Sequence, residues 1–264
     1  MTATPPPGGA LPHGGQQGGA ADDGGERERG GLRLSAVVLA GGRGSRLGGV
    51  DKASLTLDGR RLLDRVLDAV AGAGVAAGRI AIVGFDDVLP AGPLDRPGRS
   101  GNGGPRLVRE DPPFGGPAAA TAAGLGALAT EPDDDADDPD AWVLLLSCDL
   151  VHPDDAVEAL LPAVRSAAET TDAAVVGVDP DGRHQPLTAA YRRGALAAAV
   201  AALTASRGGL TGASMRDLTG ELSVMEVPLT SAASADVDTV EDAHRTGVRL
   251  PHSPDERARP EEDA

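Results

Sequence analysis

Two apolar stretches, LRLSAVVLA (32–40) and WVLLLSCD (142–149), constrain the fold of this chain most. Their apolar residues run on without a polar face, which suits strands covered on both sides of a sheet. Shorter runs recur: RIAIVG (79–84), PRLVRE (105–110), DAAVVGV (172–178), HQPLTAAY (184–191) and LSVMEVPL (222–229). Helical patterns lie between most of them. In RRLLDRVLDAVAGAG (60–74), Leu63, Val66, Leu67 and Val70 share one face, and Gly72 and Gly74 mark the end. GGPAAATAAGLGALAT (115–130) reads as a small-residue helix suited to close packing. HPDDAVEALLPAVRSAAE (152–169) reads as a helix with Pro162 as a kink point, and RRGALAAAVAAL (192–203) and TVEDAHRTG (239–247) complete the series. The turn DPDGR (179–183) joins two of the strands. Strand and helix in alternation predict an α/β fold, with a mainly parallel sheet between two helical layers. Ligands of such sheets bind beyond the carboxyl ends of the strands. The residues that close each apolar run are therefore the candidates for chemistry.

Composition narrows the function classes. The formal charge of −16 argues against a general nucleic-acid partner, which requires a basic face. It leaves room for a small anionic ligand, since backbone amides and a few local cations suffice to hold one. A single cysteine provides no intrachain disulfide and fits a reducing cytoplasm. No apolar run reaches the roughly 18–20 residues of a membrane span, and residues 1–31 lack the apolar core of a signal peptide. Those first residues, rich in Pro, Gly and Gln, are expected to be disordered, as is the tail 251–264. One domain is expected over 32–250. Within it, 86–105 and the acidic run 131–140 read as loops, the latter as a solvated one.

The first apolar run leads into AGGRGSRLGGVDK, and Lys52 at its end is the only lysine in the chain. Glycine lets backbone amides approach a phosphate closely, while Arg43, Arg46 and Lys52 can neutralise its charge. Two well-known phosphate loops do not fit. A P-loop requires Ser or Thr after the lysine, and Ala53 stands there. A dinucleotide fingerprint requires G-x-G-x-x-G, and Gly42 to Gly48 is one residue too long for it.

The segment Leu39-Ala40-Gly41-Gly42, followed by Arg46-Leu47-Gly48 and Asp51-Lys52, instead resembles the signature loop of nucleotidyltransferases, in the form found in the molybdenum cofactor guanylyltransferases of the MobA type. The apolar strand ending in Cys148-Asp149 resembles that family's Pro-Cys-Asp motif, with Ser147 in place of proline. Asp111 followed by Gly116-Pro117 resembles its third-strand aspartate and next helix start, with Glu110 beside it as a competitor. HQPLTAAYRRGAL and ADVDTVEDAHR carry weaker likenesses, Asp236 and Asp238 standing where asparagines are usual.

The resemblance implies a single Rossmann-like three-layer domain of the nucleotide-diphospho-sugar transferase type. It implies transfer of GMP from GTP to molybdenum-bound molybdopterin, with Mg²⁺ as cofactor and release of pyrophosphate. Arg46, Lys52 and Asp149 are then the expected catalytic residues. Leu39, Ala40, Gly41, Gly42, Arg43, Lys52, Asp111 and Asp149 are the expected nucleotide contacts, and Asp149 and Asp238 the expected metal ligands. A carboxylate at a strand end suits Mg²⁺, a hard cation held by one or two carboxylates together with substrate phosphates. Cys148 reads as a small buried core residue rather than a nucleophile. Molybdoenzyme maturation proteins are the partners implied. Two other readings stay open: a related transferase using CTP or another phosphorylated acceptor, and a nucleotide-binding maturation protein without turnover. LAGG in place of LAAG leans, in the family's terms, towards the guanylyl branch.

Overall fold

β1, Leu34–Leu39, is buried along its whole length, as its unbroken apolar sequence requires. A computed structural model describes residues 1–2, 32–42, 45–84, 104–129 and 138–251. The chain divides into the units Met1–Gly31 and Leu32–Ala264; only Met1 and Thr2 of the first are described, and both lack regular structure. Most of the two tails, Arg43, nearly all of the 86–105 loop and most of the acidic run lie outside the described residues.

After β1 come a small hairpin, β2 (Thr56–Leu57) and β3 (Arg60–Arg61), and then helix α1, Leu62–Gly72. β4 (Ile80–Val83), β5 (Arg106–Val108) and helix α2 (Pro117–Leu128) follow, then β6 (Trp142–Ser147) and α3 (Pro153–Ala167). β7 (Ala174–Val178), β8 (His184–Arg192), α4 (Arg193–Arg207), the short α5 (Met215–Thr219), β9 (Val224–Pro228) and α6 (Val240–Thr246) complete the chain. The expected α3 runs through Pro162 without a break. The ring removes the bond to the carbonyl four residues back, which belongs to exposed Glu158, so water can satisfy it.

All seven strands read from the apolar runs join one sheet, in the order β5-β4-β1-β6-β8-β7-β9. β1 pairs in parallel with β4 and β6, β4 with β5, and β7 with β9. β8 runs antiparallel to both β6 and β7, which makes the sheet mixed but mostly parallel. Alternate residues of the central strands face opposite layers. Ala36, Val38, Trp142, Leu144 and Leu146 join a core with α1 and α3, whereas Val37, Leu39, Val143 and Leu145 join one with α2, α4 and α5. Gly124 lets α2 lie close on the sheet: a Cβ there would fall 2.5 Å from Val37 Cγ1 and 2.9 Å from Val83 Cγ2. Among the described residues no helix is long and apolar enough to cross a membrane.

Candidate active site

The four parallel strands β5, β4, β1 and β6 end level with one another, and this alignment builds the site. Leu39 lies in register with Ser147 and with Val83, and Val83 with Val108. Past those residues the ladder continues for one more step: Ala40 N–H donates to the Val83 carbonyl at 2.8 Å, Cys148 N–H to Leu39 at 3.0 Å and Gly84 N–H to Val108 at 3.0 Å. The residues that follow therefore share one edge: Gly41-Gly42 after β1, Gly84 after β4, Glu110 after β5 and Asp149 after β6. Gly41 and Gly84 touch backbone to backbone. A Cβ on Gly41 would lie 2.8 Å from Gly84 Cα, so a side chain at either position would force the two strand exits apart.

A third, smaller apolar cluster anchors the charged residues from below. It holds Leu47, Leu55, Leu62, Val151, Val237, Ala243 and Val248. Five charged residues of the site sit within a few positions of one of these anchors: Arg46 before Leu47, Lys52 ahead of Leu55, Asp149 ahead of Val151, and Asp236 and Asp238 around Val237. The segment carrying Val237 is stitched to the end of β6 by an antiparallel bridge between Leu150 and Asp236 and by Val151 N–H donating to Ala235 at 2.9 Å. Lys52 begins a single 3₁₀ turn, Lys52–Ser54. Asp51 caps that turn, its carboxylate accepting from Ala53 N–H at 3.1 Å. The Asp-Lys pair thus combines a cap with a reaching cation.

Lys52 Nζ donates to Asp149 Oδ2 at 2.6 Å and also to Asp238 Oδ1. Asp149 is only 1% exposed, and its other oxygen accepts from the Ser147 hydroxyl. The Asp238 side chain is 46% exposed and lies 3.9 Å from an Arg46 guanidinium nitrogen, itself on a side chain 75% exposed. Burial by itself would lower the Lys52 pKa, but the charges and hydrogen bonds of Asp149 and Asp238 outweigh it and hold the ammonium well above the usual lysine range. Among the described residues no cation pairs with Asp236. Burial, then the charges of Asp149 and Asp238, push it up to about 6. Cys148 is buried beneath the site, and burial followed by the Asp149 charge pushes its thiol up, which keeps it protonated and unreactive.

Among the described residues no three acidic, His or Cys side chains form a metal cage. Two carboxylates do converge on one cation, with Lys52 between them. That donor set fits Mg²⁺ of the kind completed by nucleotide phosphates and water.

A cavity of about 320 Å³ opens beside this cluster, lined by Leu39, Gly41, Gly42, Lys52, Glu110, Phe114, Gly116, Pro117, Ala120, Ser147 and Leu187. That volume is in the range of small-molecule sites. The amino end of α2 faces it, and its N-cap Gly116 supplies no side-chain cap. The cavity and the carboxylate cluster thus bring together Leu39, Gly41, Gly42, Lys52, Asp149 and Asp238, with Arg46 at the rim and Ala40 buried behind. Asp111 is exposed on the turn after Glu110, and it is Glu110 that lines the cavity. Ser147 and Leu187 are lining residues that the motifs did not single out. Alternation along the end of β6 is the signal that pairs Ser147 with Asp149. Leu187, from β8, had no local signal.

A mostly parallel sheet whose strand ends carry a glycine-rich loop, a bridging lysine and buried carboxylates is the architecture of nucleotidyltransferases. The chain belongs to the MobA-like NTP transferase family, whose domain model matches residues 36–222. Curated relatives named molybdenum cofactor guanylyltransferase include one from Acidiphilium cryptum, 60% identical over 42 residues, 16% of this chain and 21% of that one. Another, from Cereibacter sphaeroides, is 37% identical over 110 residues, 39% of this chain and 51% of that one. A third, from Cupriavidus metallidurans, is 28% identical over 221 residues, 80% of this chain and 93% of that one. The chain thus spans about a fifth and a half of the length of the first two. Among solved structures, the 2-C-methyl-D-erythritol 4-phosphate cytidylyltransferase of Francisella tularensis shares the fold with a TM-score of 0.56 at 12% identity, covering 81% of this chain and 98% of that one. Rv0371c of Mycobacterium tuberculosis does so with a TM-score of 0.52 at 22% identity, covering 81% and 97%.

Proposed function

We propose that this protein transfers GMP from GTP to the terminal phosphate of molybdenum-bound molybdopterin, with Mg²⁺, releasing pyrophosphate. The observation that carries the reading is the bridge from Lys52 to Asp149 and Asp238 beside the cavity at the ends of β1 and β6. The names of the curated relatives support the guanylyl and molybdopterin parts of it.

In this reading the exits of β1 (Leu39, Ala40, Gly41, Gly42) and Arg43 cradle the nucleotide, with Asp111 as a further contact. Lys52 and Arg46 stabilise the charge that develops on the leaving pyrophosphate. Lysine suits this place, because a compact charge on a flexible stem enters a crowded phosphate site that a guanidinium fork would fill. Asp149 and Asp238 would hold Mg²⁺ together with the phosphates, and bound Mg²⁺ supplies charge neutralisation at those oxygens. Ser147 orients the Asp149 carboxylate through its hydroxyl. No general base is required, since a phosphate nucleophile is already ionised near neutral pH. The chain's contribution is positioning and preorganised charge. A cytoplasmic location and delivery of the product to molybdoenzyme maturation proteins belong to the same proposal.

Thermal shifts with GTP, CTP, ATP and UTP, each with and without Mg²⁺, test it. GTP with Mg²⁺ should give the largest shift, about 2.7 kcal/mol of stabilisation at a hundredfold excess over Kd. A larger shift with CTP would move the protein to a different substrate, and no Mg²⁺-dependent shift with any nucleotide would overturn the reading.

A further inference from the structure

The two carboxylates assigned above to Mg²⁺ already share a cation, and that cation is Lys52. Its Nζ donates to Asp149 Oδ2 at 2.6 Å and to Asp238 Oδ1. The other oxygen of Asp149 accepts from the Ser147 hydroxyl, and that of Asp238 lies 3.9 Å from Arg46. Asp149 is buried, so its carboxylate has no open side towards solvent. Mg²⁺ binds oxygens at about 2.0–2.1 Å, closer than the ammonium stands to Asp149. An ion at that oxygen would compete with the ammonium for the same space, and two cations in contact repel.

We infer that Lys52 is an exchangeable cation: it holds Asp149 and Asp238 together in the absence of metal, gives them up to Mg²⁺, and passes its ammonium to the nucleotide phosphates. The inference rests on the proposed Mg²⁺ and nucleotide sites and adds the order in which the charges change partners. Without phosphates the ammonium has the carboxylates to hold, so bare metal must displace a part-buried ion pair. With phosphates it gains new acceptors as it leaves. Metal and nucleotide then strengthen each other's binding by the same factor in both directions.

The local structure allows the exchange. The backbone of Lys52 is pinned: Asp51 caps the turn, and Leu55 N–H donates to the Lys52 carbonyl at 3.2 Å from a fully buried residue. The side chain beyond is a flexible four-carbon stem. It is 21% exposed and lines the cavity together with Gly41 and Gly42. The ammonium can therefore leave the carboxylates for the cavity while the turn stays in place. Charge favours the move as well. The two carboxylates outnumber the lysine between them, and a divalent ion balances them and frees the lysine's charge.

Mn²⁺ alone, titrated into the full chain and followed by the paramagnetic resonance of the free ion, tests the inference. Lys52→Met keeps much of the side chain's length and removes its charge. It should bind Mn²⁺ about ten- to a hundredfold more tightly than wild type, because the ion no longer displaces hydrogen bonds between charged groups. A lysine that merely braced the fold would leave metal affinity equal or lower on its removal. The gain should vanish in the Lys52→Met, Asp149→Asn double variant. It should survive in about 1 M KCl, where the screening length is about 3 Å and distant charge no longer counts. Equal or weaker Mn²⁺ binding by Lys52→Met, or a gain that salt erases, overturns the inference and leaves nucleotidyl transfer standing. The thermal shifts with nucleotide and Mg²⁺ judge that reading separately. Should Lys52→Met not fold, wild type labelled with ¹³C at lysine Cε decides, because Lys52 is the only lysine in the chain. Its signal should move in step with Mg²⁺ binding measured by calorimetry, and a signal that stays fixed while the metal binds overturns the inference.

Discussion

The two halves of the sheet differ in kind. β5, β4, β1 and β6 are all parallel and end level, and nearly everything that lines the cavity hangs from those ends. The half formed by β8, β7 and β9 is laced with antiparallel pairs and contributes Leu187 to the cavity; the segment after β9 adds Asp236 and Asp238. The family match, residues 36–222, covers Lys52, Glu110 and Asp149 but stops before Asp236 and Asp238. The lesson is a division of labour. In the proposed function the parallel half builds the nucleotide cradle, and the other half lends an acidic strap that meets the same lysine.

That division predicts unequal losses. Asp149→Asn removes a buried carboxylate of the cradle itself and should lower the rate of pyrophosphate release from GTP by about a thousandfold. Lys52→Ala should cost about a hundredfold or more in the same assay. It should also lower stability by about 2 kcal/mol in urea denaturation, because among the described residues Asp149 is left buried with only Ser147 as a side-chain partner. The Lys52→Ala, Asp149→Asn double variant should recover much of that stability while remaining inactive. Asp238→Asn touches the half-exposed strap and should cost only about tenfold in rate. If Asp238→Asn proves as damaging as Asp149→Asn, the strap is part of the cradle and the division fails.

Much of this was legible in the chain. Each of the seven sheet strands announced itself as an apolar run, and α1 buried the face its periodicity marked. The two-residue strands of the β2–β3 hairpin and the five residues of α5 are too short to carry a period. The order of the strands is fixed by packing at long sequence separation, which no local pattern encodes. The same limit applies within the site. Lys52 and Asp149 were readable because they close conspicuous motifs. The choice between Glu110 and Asp111 was not, because the turn after β5 decides which of two adjacent carboxylates faces inward. The burial of Asp236 depends on a bridge to Leu150, far away in the chain.

Two smaller effects probe each half separately. Gly124→Ala would press a methyl group against Val37 and Val83, stiff β-branched residues of central strands. It should cost about 1–3 kcal/mol by urea denaturation, and no loss would mean that the parallel half is softer than its packing implies. In the strap, Asp236 titrates at about 6 in the folded protein, above the roughly 3.9 of an unfolded chain. The folded state therefore holds this proton more tightly, and the associated stability is lost as pH rises from about 4 through about 6. Melting temperature measured across that window without divalent cations should show this decline, and Asp236→Asn should flatten it. An unchanged slope in the variant would remove Asp236 as the cause.

Nucleotidyl transfer at the Lys52–Asp149 site can be followed with GTP labelled at its α-phosphate. Incubated with Mg²⁺ and molybdenum-bound molybdopterin, wild type should move the label onto the pterin in step with pyrophosphate release, and Asp149→Asn should leave it on GTP. Label that stays on GTP with wild type, or that reaches the pterin equally fast with Asp149→Asn, would rule out transfer at this site.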